Sequence, residues 1–362
     1  MLPRLSVLLL SLVSATMNFA APLAPNLLPA TDARFRYEGR FDRAEPKQPV
    51  VIWSGSRISL DFAGEHLALV FGPVADQCVF NVTIDGVTEI ADIRTATRAR
   101  YEWPKPLGSG RHHLEIFKRS EAAKGHAAFA GVELAAGAQA WVPLAPAYRL
   151  KIEFFGDSIT AGACNEDGAV DQWDDFRTHN HALSYAYLTS LALGADHRAV
   201  AVSGMGIVEG YVDVKSGEVW DKIYPRPDSA RADLTGWQPD VACINFGEND
   251  ISHTQANHRP FPPGFVRDYV ALVHAIRAAY PQTQLVLLRG GMHGGHEDPV
   301  LRAAWEQVVR EVEAGDPRIA HFAFAHWSSL HPRVSDDHAM ADELTAWLKQ
   351  QPFMAPYLEN TK

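Results

Sequence analysis

Ser158 lies in Phe155-Gly156-Asp157-Ser158-Ile159-Thr160-Ala161-Gly162, directly after the strand-like run Lys151-Ile152-Glu153-Phe154-Phe155. A serine just past a strand end and at a helix start has an exposed hydroxyl near the positive end of that helix. Its hydroxyl is a weak nucleophile at neutral pH and needs a base. Gly156 is expected to let the chain turn tightly. Alone, the triplet also reads as a helix cap, a common use of Asp and Ser. A candidate base is His331, in Trp327-Ser328-Ser329-Leu330-His331-Pro332. The following proline holds it extended, which suits a loop beside a sheet, although it is one of sixteen histidines. The segment Ile244-Asn245-Phe246-Gly247-Glu248-Asn249-Asp250 ends another strand in glycine and a polar cluster. Asn249 can aim an amide N–H at a developing oxyanion, typically worth roughly 3 kcal/mol; the alternative is an Asn/Asp turn. Gly204, in Val202-Ser203-Gly204-Met205-Gly206, can offer an unobstructed backbone N–H or be an ordinary loop glycine.

Two kinds of periodicity divide the elements that must position these residues. From 32 to about 140 the chain reads as all-β: Pro49–Trp53, Arg57–Phe62, His66–Phe71, Val79–Ile84 and Arg111–Phe117 are short, often alternating runs punctuated by Gly55, Gly64, Gly72 and Asp85-Gly86. That spacing predicts a β-sandwich or jelly roll over residues 32–142. Pro143-Leu144-Ala145-Pro146 lies in a stiff linker, 143–149. Residues 150–352 then alternate strands with helices. The strands are predicted at 151–155, 199–202, 241–246, 284–288 and 319–322, and the helices at 182–194, around Phe265–Ile276, at 300–313 and around Met340–Leu348. Such alternation means a parallel sheet covered on both faces, with its site at the carboxyl ends of the strands. The fold class is therefore α/β, a three-layer α/β/α domain preceded by a β domain.

The order Gly-Asp-Ser, Gly, Gly-x-Asn-Asp and a C-terminal His resembles the SGNH hydrolase superfamily over roughly residues 150–350. A narrower resemblance, to carbohydrate esterase family 2, covers nearly the whole chain. It rests on Trp53-Ser54-Gly55-Ser56, Lys118-Arg119-Ser120-Glu121, Ile152–Thr160, Ser203-Gly204-Met205-Gly206-Ile207 and His331-Pro332 followed by Met340-Ala341. It implies a serine esterase that deacetylates xylan, glucomannan or simpler acetylated sugars. It further implies Ser158 as nucleophile and His331 as base, with the Ser158 N–H, the Gly204 N–H and the Asn249 side chain as oxyanion hole. No cofactor or metal is required. One position departs from the superfamily: the acid expected two or three residues before the histidine is absent, and Ser328 and Ser329 stand there. That acid would fix the imidazole tautomer. A backbone carbonyl is the favoured substitute; Asp336 or Asp337 folding back, or an impaired enzyme, are the others. Met205, where the family often has Lys, is assigned no role.

Composition narrows the partners. The chain has 362 residues, 47% hydrophobic and 21% charged, with a formal net charge of −10 and no long basic run. This argues against a nucleic-acid surface, which needs clustered Lys and Arg, and fits a neutral acetylated polysaccharide or oligosaccharide. Arg4 and the short apolar run Leu5–Val13 have the layout of a signal peptide over 1–24, and later segments are too short to span a bilayer. The protein is expected to be secreted or periplasmic. Cys78, Cys164 and Cys243 make an odd, small set, so no disulfide framework is expected. Trp327 and Asp157 are the substrate-contact candidates, with Trp173, Trp220 and Trp237 weaker. His293-Gly294-Gly295-His296 and His179-Asn180-His181 read as polar loops rather than metal ligands. Two other functions compete: a sugar-binding protein that has lost turnover with its acid, and an SGNH lipase or thioesterase with an apolar acyl groove.

Overall fold

The computed structural model describes residues 26–358, so the signal peptide expected over 1–24 lies outside the described residues. The N-terminal part is an antiparallel sheet of eleven strands. Its spine is the eighteen-residue strand Leu67–Ile84. The first half of that strand pairs with Gly125–Leu134 and Ala99–Glu102, the second half with Arg111–Lys118 and Val87–Ala96. One strand thus changes partners along its length, and the sheet curls over a core that includes Phe62, Phe71, Phe80 and Phe129. The sequence predicts two strands broken at Gly72, but Gly72 does not end the strand. A Cβ there would come within 2.5 Å of Gln48 Oε1, the end of a flexible side chain that can move aside. Cys78, Cys164 and Cys243 are buried and free.

The C-terminal part is a five-stranded parallel sheet in the order Ala195–Ala201, Leu150–Gly156, Val241–Asn245, Gln284–Met292, Ile319–Ser328. Helices Tyr185–Ala192 and Val334–Lys349 cover one face, through Tyr185, Leu344 and Leu348 against Phe154 and Val286. Helices Phe265–Ala279 and Pro299–Glu313 cover the other, through Tyr269, Ile276, Trp305 and Val308 against Ile244 and Leu287. This is the three-layer α/β/α arrangement expected from the alternating pattern. Strand order reverses beside Leu150–Gly156, so the crevice at its carboxyl end is the natural site. Among the described residues no helix is long and apolar enough to cross a membrane.

The two parts share a core. Ile52, Trp53 and Ala122 of the β part pack into the cluster that covers the parallel sheet, and the Trp53 indole N–H donates to the Ile223 carbonyl at 2.7 Å. Glu153, wholly buried in the first parallel strand, accepts from Arg40 of the β part at 3.1 Å and from the Tyr280 hydroxyl at 2.8 Å. Arg40 also donates to the carbonyls of Trp220 and Lys222. Removing one partner of a buried ion pair strands the other charge without water. Arg40→Ala is therefore expected to lower the unfolding free energy by about 3–5 kcal/mol, measurable by denaturant titration; a change under 1 kcal/mol would refute a structural role for the pair.

Candidate active site

Ser158 is the first residue of a four-residue helix, Ser158–Ala161, set on the end of strand Leu150–Gly156. Asp157 caps it by accepting the Ile159 N–H at 3.0 Å. Gly156 has no left-handed backbone, contrary to the tight turn expected of it. A Cβ there would stand 2.1 Å from Thr160 Oγ1, so close approach requires the glycine. Thr160 Oγ1 in turn lies 2.9 Å from the buried Tyr185 hydroxyl, which accepts from Asn245 Nδ2 at 3.3 Å. The Ser158 segment is thereby fastened from behind.

His331 Nε2 lies 2.8 Å from Ser158 Oγ, and Nδ1 lies 2.7 Å from Asp171 Oδ2. The other Asp171 oxygen accepts from Arg333 Nη1 at 2.8 Å. Burial alone would raise the Asp171 carboxyl, but hydrogen bonds from His331 and Arg333 outweigh it and bring it down to about 2. An ionised Asp171 can only accept, so Nδ1 carries the proton and Nε2 is left to accept the serine hydroxyl's hydrogen. This corrects the expectation of a carbonyl partner. Neither downstream acid folds back to the imidazole: Asp336 binds His326 Nε2 at 2.9 Å, and Asp337 accepts from Tyr185 N and Asn165 Nδ2. Asp171 lies on the chain between the Ser158 helix and helix Tyr185–Ala192, far upstream of the position where the superfamily acid is sought. Its neighbours Asp167, Asp174 and Asp175 gave no sequence signal to single it out.

The polar triplet that opens helix Glu248–Ala256 ties three other loops together. Glu248 accepts from the Gly294 and Gly295 amides. Asn249 Nδ2 donates to Asp157 Oδ2 at 2.9 Å and to the Met205 carbonyl at 3.1 Å. Asp250 accepts from the amides of Ile207, Val208 and Glu209, which fixes the loop after Gly204. Gly204 has φ +78°, and a Cβ there would crowd Tyr211 at 3.1 Å. Burial pushes Asp157 up to about 8 and Asp250 up to about 6, against the amides that each accepts. Asp157 is 1% exposed, so the structure places it beneath the site rather than against a substrate.

The β part reaches in from two sides. Glu121 accepts the Ser203 amide at 2.6 Å, next to Gly204. Arg119, almost wholly buried, donates to the carbonyls of His179 and Arg177 and to Asn81 Oδ1, and also binds Glu166. It thus clamps both ends of the segment that carries Asp171.

Ser158, Gly204, Asn249 and His331 line one cleft of about 470 Å³, with Lys124, Trp173, Tyr211 and Glu248 also on its walls. Trp173 stands edge-on to the His331 ring, centroids 4.7 Å apart, and is 39% exposed. Trp327 is not among the lining residues; it stacks on His296 at 5.5 Å. Trp173, ranked below Trp327 from sequence because it is remote from His331 in the chain, is the aromatic that meets the site. Trp220 is buried, and Trp237 donates to Asp196. Cys164, Asp167 and Asp171 bring possible metal-ligand atoms within 4.8 Å of one another. Both Asp171 oxygens are already engaged, so an ion there would compete with the imidazole.

Arg119→Ala is expected to free several buried acceptors, each costing about 1–3 kcal/mol. Because the released segment holds Asp171, ester turnover should fall about tenfold or more below that of Arg40→Ala, measured with both variants well below their melting temperatures. Equal turnover would show that Arg119 acts on stability alone.

Residues 37–146 match the family described as Carbohydrate esterase 2 N-terminal, and residues 154–348 match the GDSL-like Lipase/Acylhydrolase family. The chain is 30% identical over 325 residues to the cellulase/esterase CelE of Acetivibrio thermocellus, an alignment that covers 87% of this chain and 39% of that protein. It is 25% identical over 325 residues to an acetylxylan esterase / glucomannan deacetylase of Cellvibrio japonicus, covering 85% of this chain and 87% of that one. A structure of a family two carbohydrate esterase from Clostridium thermocellum in complex with cellohexaose superposes with a TM-score of 0.79 at 28% identity, over 90% of this chain and all of that one. With both parts matched in order, the chain belongs to the GDSL-like lipase/acylhydrolase family and, within it, to carbohydrate esterase family 2.

Proposed function

We propose that this protein is an exported carbohydrate acetylesterase that removes O-acetyl groups by serine acyl transfer. The observation that carries this reading is the unbroken chain of short contacts from Ser158 through His331 to Asp171. His331 Nε2 takes the Ser158 proton as Oγ attacks the acetyl carbonyl. Asp171 stabilises the imidazolium, and Arg333 holds Asp171 in place. The Ser158 and Gly204 amides and the Asn249 side chain stabilise the tetrahedral oxyanion. His331 then protonates the leaving sugar hydroxyl, and water cleaves the acetyl-enzyme by the same route reversed.

Sugar rings stack on flat apolar surfaces, and Trp173 and Tyr211, both exposed on the cleft walls, offer them. Two relatives carry acetylxylan esterase / glucomannan deacetylase names, and the Clostridium thermocellum structures hold a glucan oligosaccharide. Both fit acetylated xylan or glucomannan as substrate. The reading of an impaired binding protein rested on a missing acid; Asp171 removes that ground.

The test is acetate release from acetylated xylan and glucomannan. Ser158→Ala and His331→Ala should each cut kcat by at least about 10³-fold, and Asp171→Asn by about 10³–10⁴-fold through the wrong tautomer. Full activity in Ser158→Ala would end the proposal. The pH profile gives a second check. Asp171 keeps its charge down to about pH 2, so protonation of Asp171 should contribute nothing to the acid limb of kcat/KM above about pH 4. Titration of the Asp171 carboxyl carbon above about pH 4, followed by NMR, would contradict the assignment of Asp171 as a fixed anion.

A further inference from the structure

Lys124 comes from the β part, at the end of the short 3-10 turn Ala122–Lys124, yet its side chain lines the cleft of the hydrolase part together with Ser158 and His331. Its ammonium lies 5.1 Å from the centre of the Phe176 ring, on the segment that carries Asp171 and Trp173. Among the described residues no carboxylate pairs with it. The other charges at this cleft are already committed. Glu248 holds the Gly294 and Gly295 amides, and Asp171 holds His331 and Arg333.

A neutral sugar needs no cation, since hydroxyls bind well to amides, hydroxyls and aromatic faces. A long stem laid over an aromatic ring holds the charge at a defined place. A carboxylate brought beside it would form a charge-assisted hydrogen bond that no neutral hydroxyl matches. Since Lys124 and Ser158 line one cavity of small-molecule size, the anion must sit on the acetylated sugar or on a sugar bonded to it.

Resting on the esterase reading above, we propose that Lys124 makes this cleft selective for acetyl groups on uronate-bearing carbohydrate, acetylated oligosaccharides with a carboxylate on or next to the deacetylated sugar. Lys124 is half-buried, and the gain should be that of a partly screened pair, about 3–10-fold in kcat/KM. The pair is screened by salt, so the preference should shrink as ionic strength rises.

The experiment compares acetate release from acetylated uronate-bearing xylo-oligosaccharides with release from the same material after its carboxyl groups are reduced to alcohols. Each protein thus serves as its own reference. Wild type should prefer the acidic substrate about 3–10-fold. Lys124→Met, which keeps the stem without the charge, should bring the ratio to about one, and Lys124→Glu should invert it. A wild-type ratio of one, or an unchanged ratio in Lys124→Met, overturns the proposal. Titration calorimetry with the deacetylated acidic oligosaccharide gives a readout free of turnover. Binding weakened about 3–10-fold by Lys124→Met supports the anion site even if no protein releases acetate, an outcome that would instead sink the esterase reading. Equal binding by both proteins overturns the anion site.

Discussion

Buried carboxylates that accept backbone N–H groups hold this site together. Taking a carboxylate out of water costs far more than the fold can spare unless its oxygens are hydrogen-bonded. Loop amides near a buried site face the same demand from the opposite side. Each satisfies the other here. Asp157 takes Ile159 N, Glu248 takes Gly294 and Gly295 N, Asp250 takes Ile207, Val208 and Glu209 N, Glu121 takes Ser203 N, and Asp337 takes Tyr185 N. The loops that follow the parallel strands are irregular and would otherwise be free to move. Fixed by these interior carboxyl groups, they become a rim on which Ser158, Gly204 and Asn249 are held in place.

That constraint also explains which parts of the site could be read in the sequence. Three blocks lie within a few residues of the strands Leu150–Gly156, Ala195–Ala201 and Val241–Asn245, and each apolar run announces itself. Ser158, Gly204 and Asn249 are therefore located by local pattern, and the parallel fold brings them onto one cleft. Asp171 has no such marker. Its segment has no regular hydrophobic period, and it is placed chiefly by tertiary contacts with His331 and Arg333 and by the Arg119 clamp on its flanks. The choice of Trp327 over Trp173 fails for the same reason, because nearness to His331 in sequence does not mean nearness in space. Gly156 shows a different limit. A glycine required by a neighbouring side chain looks, in sequence, like one required by a turn.

The β part is more than a wall, and its two buried side chains show why. Arg119 and Glu121 are two residues apart where Arg111–Lys118 ends, yet they serve opposite sides of the cleft. One fixes the acid-bearing segment and the other the loop with Gly204. The stretch between them is pinned by Lys118, whose buried ammonium donates to the carbonyls of Ser120 and Glu121. A buried ammonium spent on two backbone carbonyls is costly unless the resulting geometry matters. The outcome is that the spacing between the Asp171 segment and the Gly204 loop is gauged by a single turn of the β part.

Such a division of labour has consequences for how the site can vary. Strand ends of the parallel sheet carry Ser158, Gly204 and Asn249, the nucleophile and donors of the proposed mechanism, where a misplacement of about 1 Å would cost about 10²-fold in rate. The acid, the aromatic faces and the β part's own contribution at Lys124 come from loops and turns instead, where side chains can change without disturbing the parallel sheet. In the proposed mechanism the reacting groups other than the acid thus rest on the parallel sheet, and the surfaces offered to a sugar rest on the loops and turns around it. Arg119 and Glu121 lie at the joint between the two. In that mechanism a change there would disturb the acid-bearing segment and the Gly204 loop together; both side chains are buried and bonded, while Lys124, three residues beyond Glu121, lines the cleft.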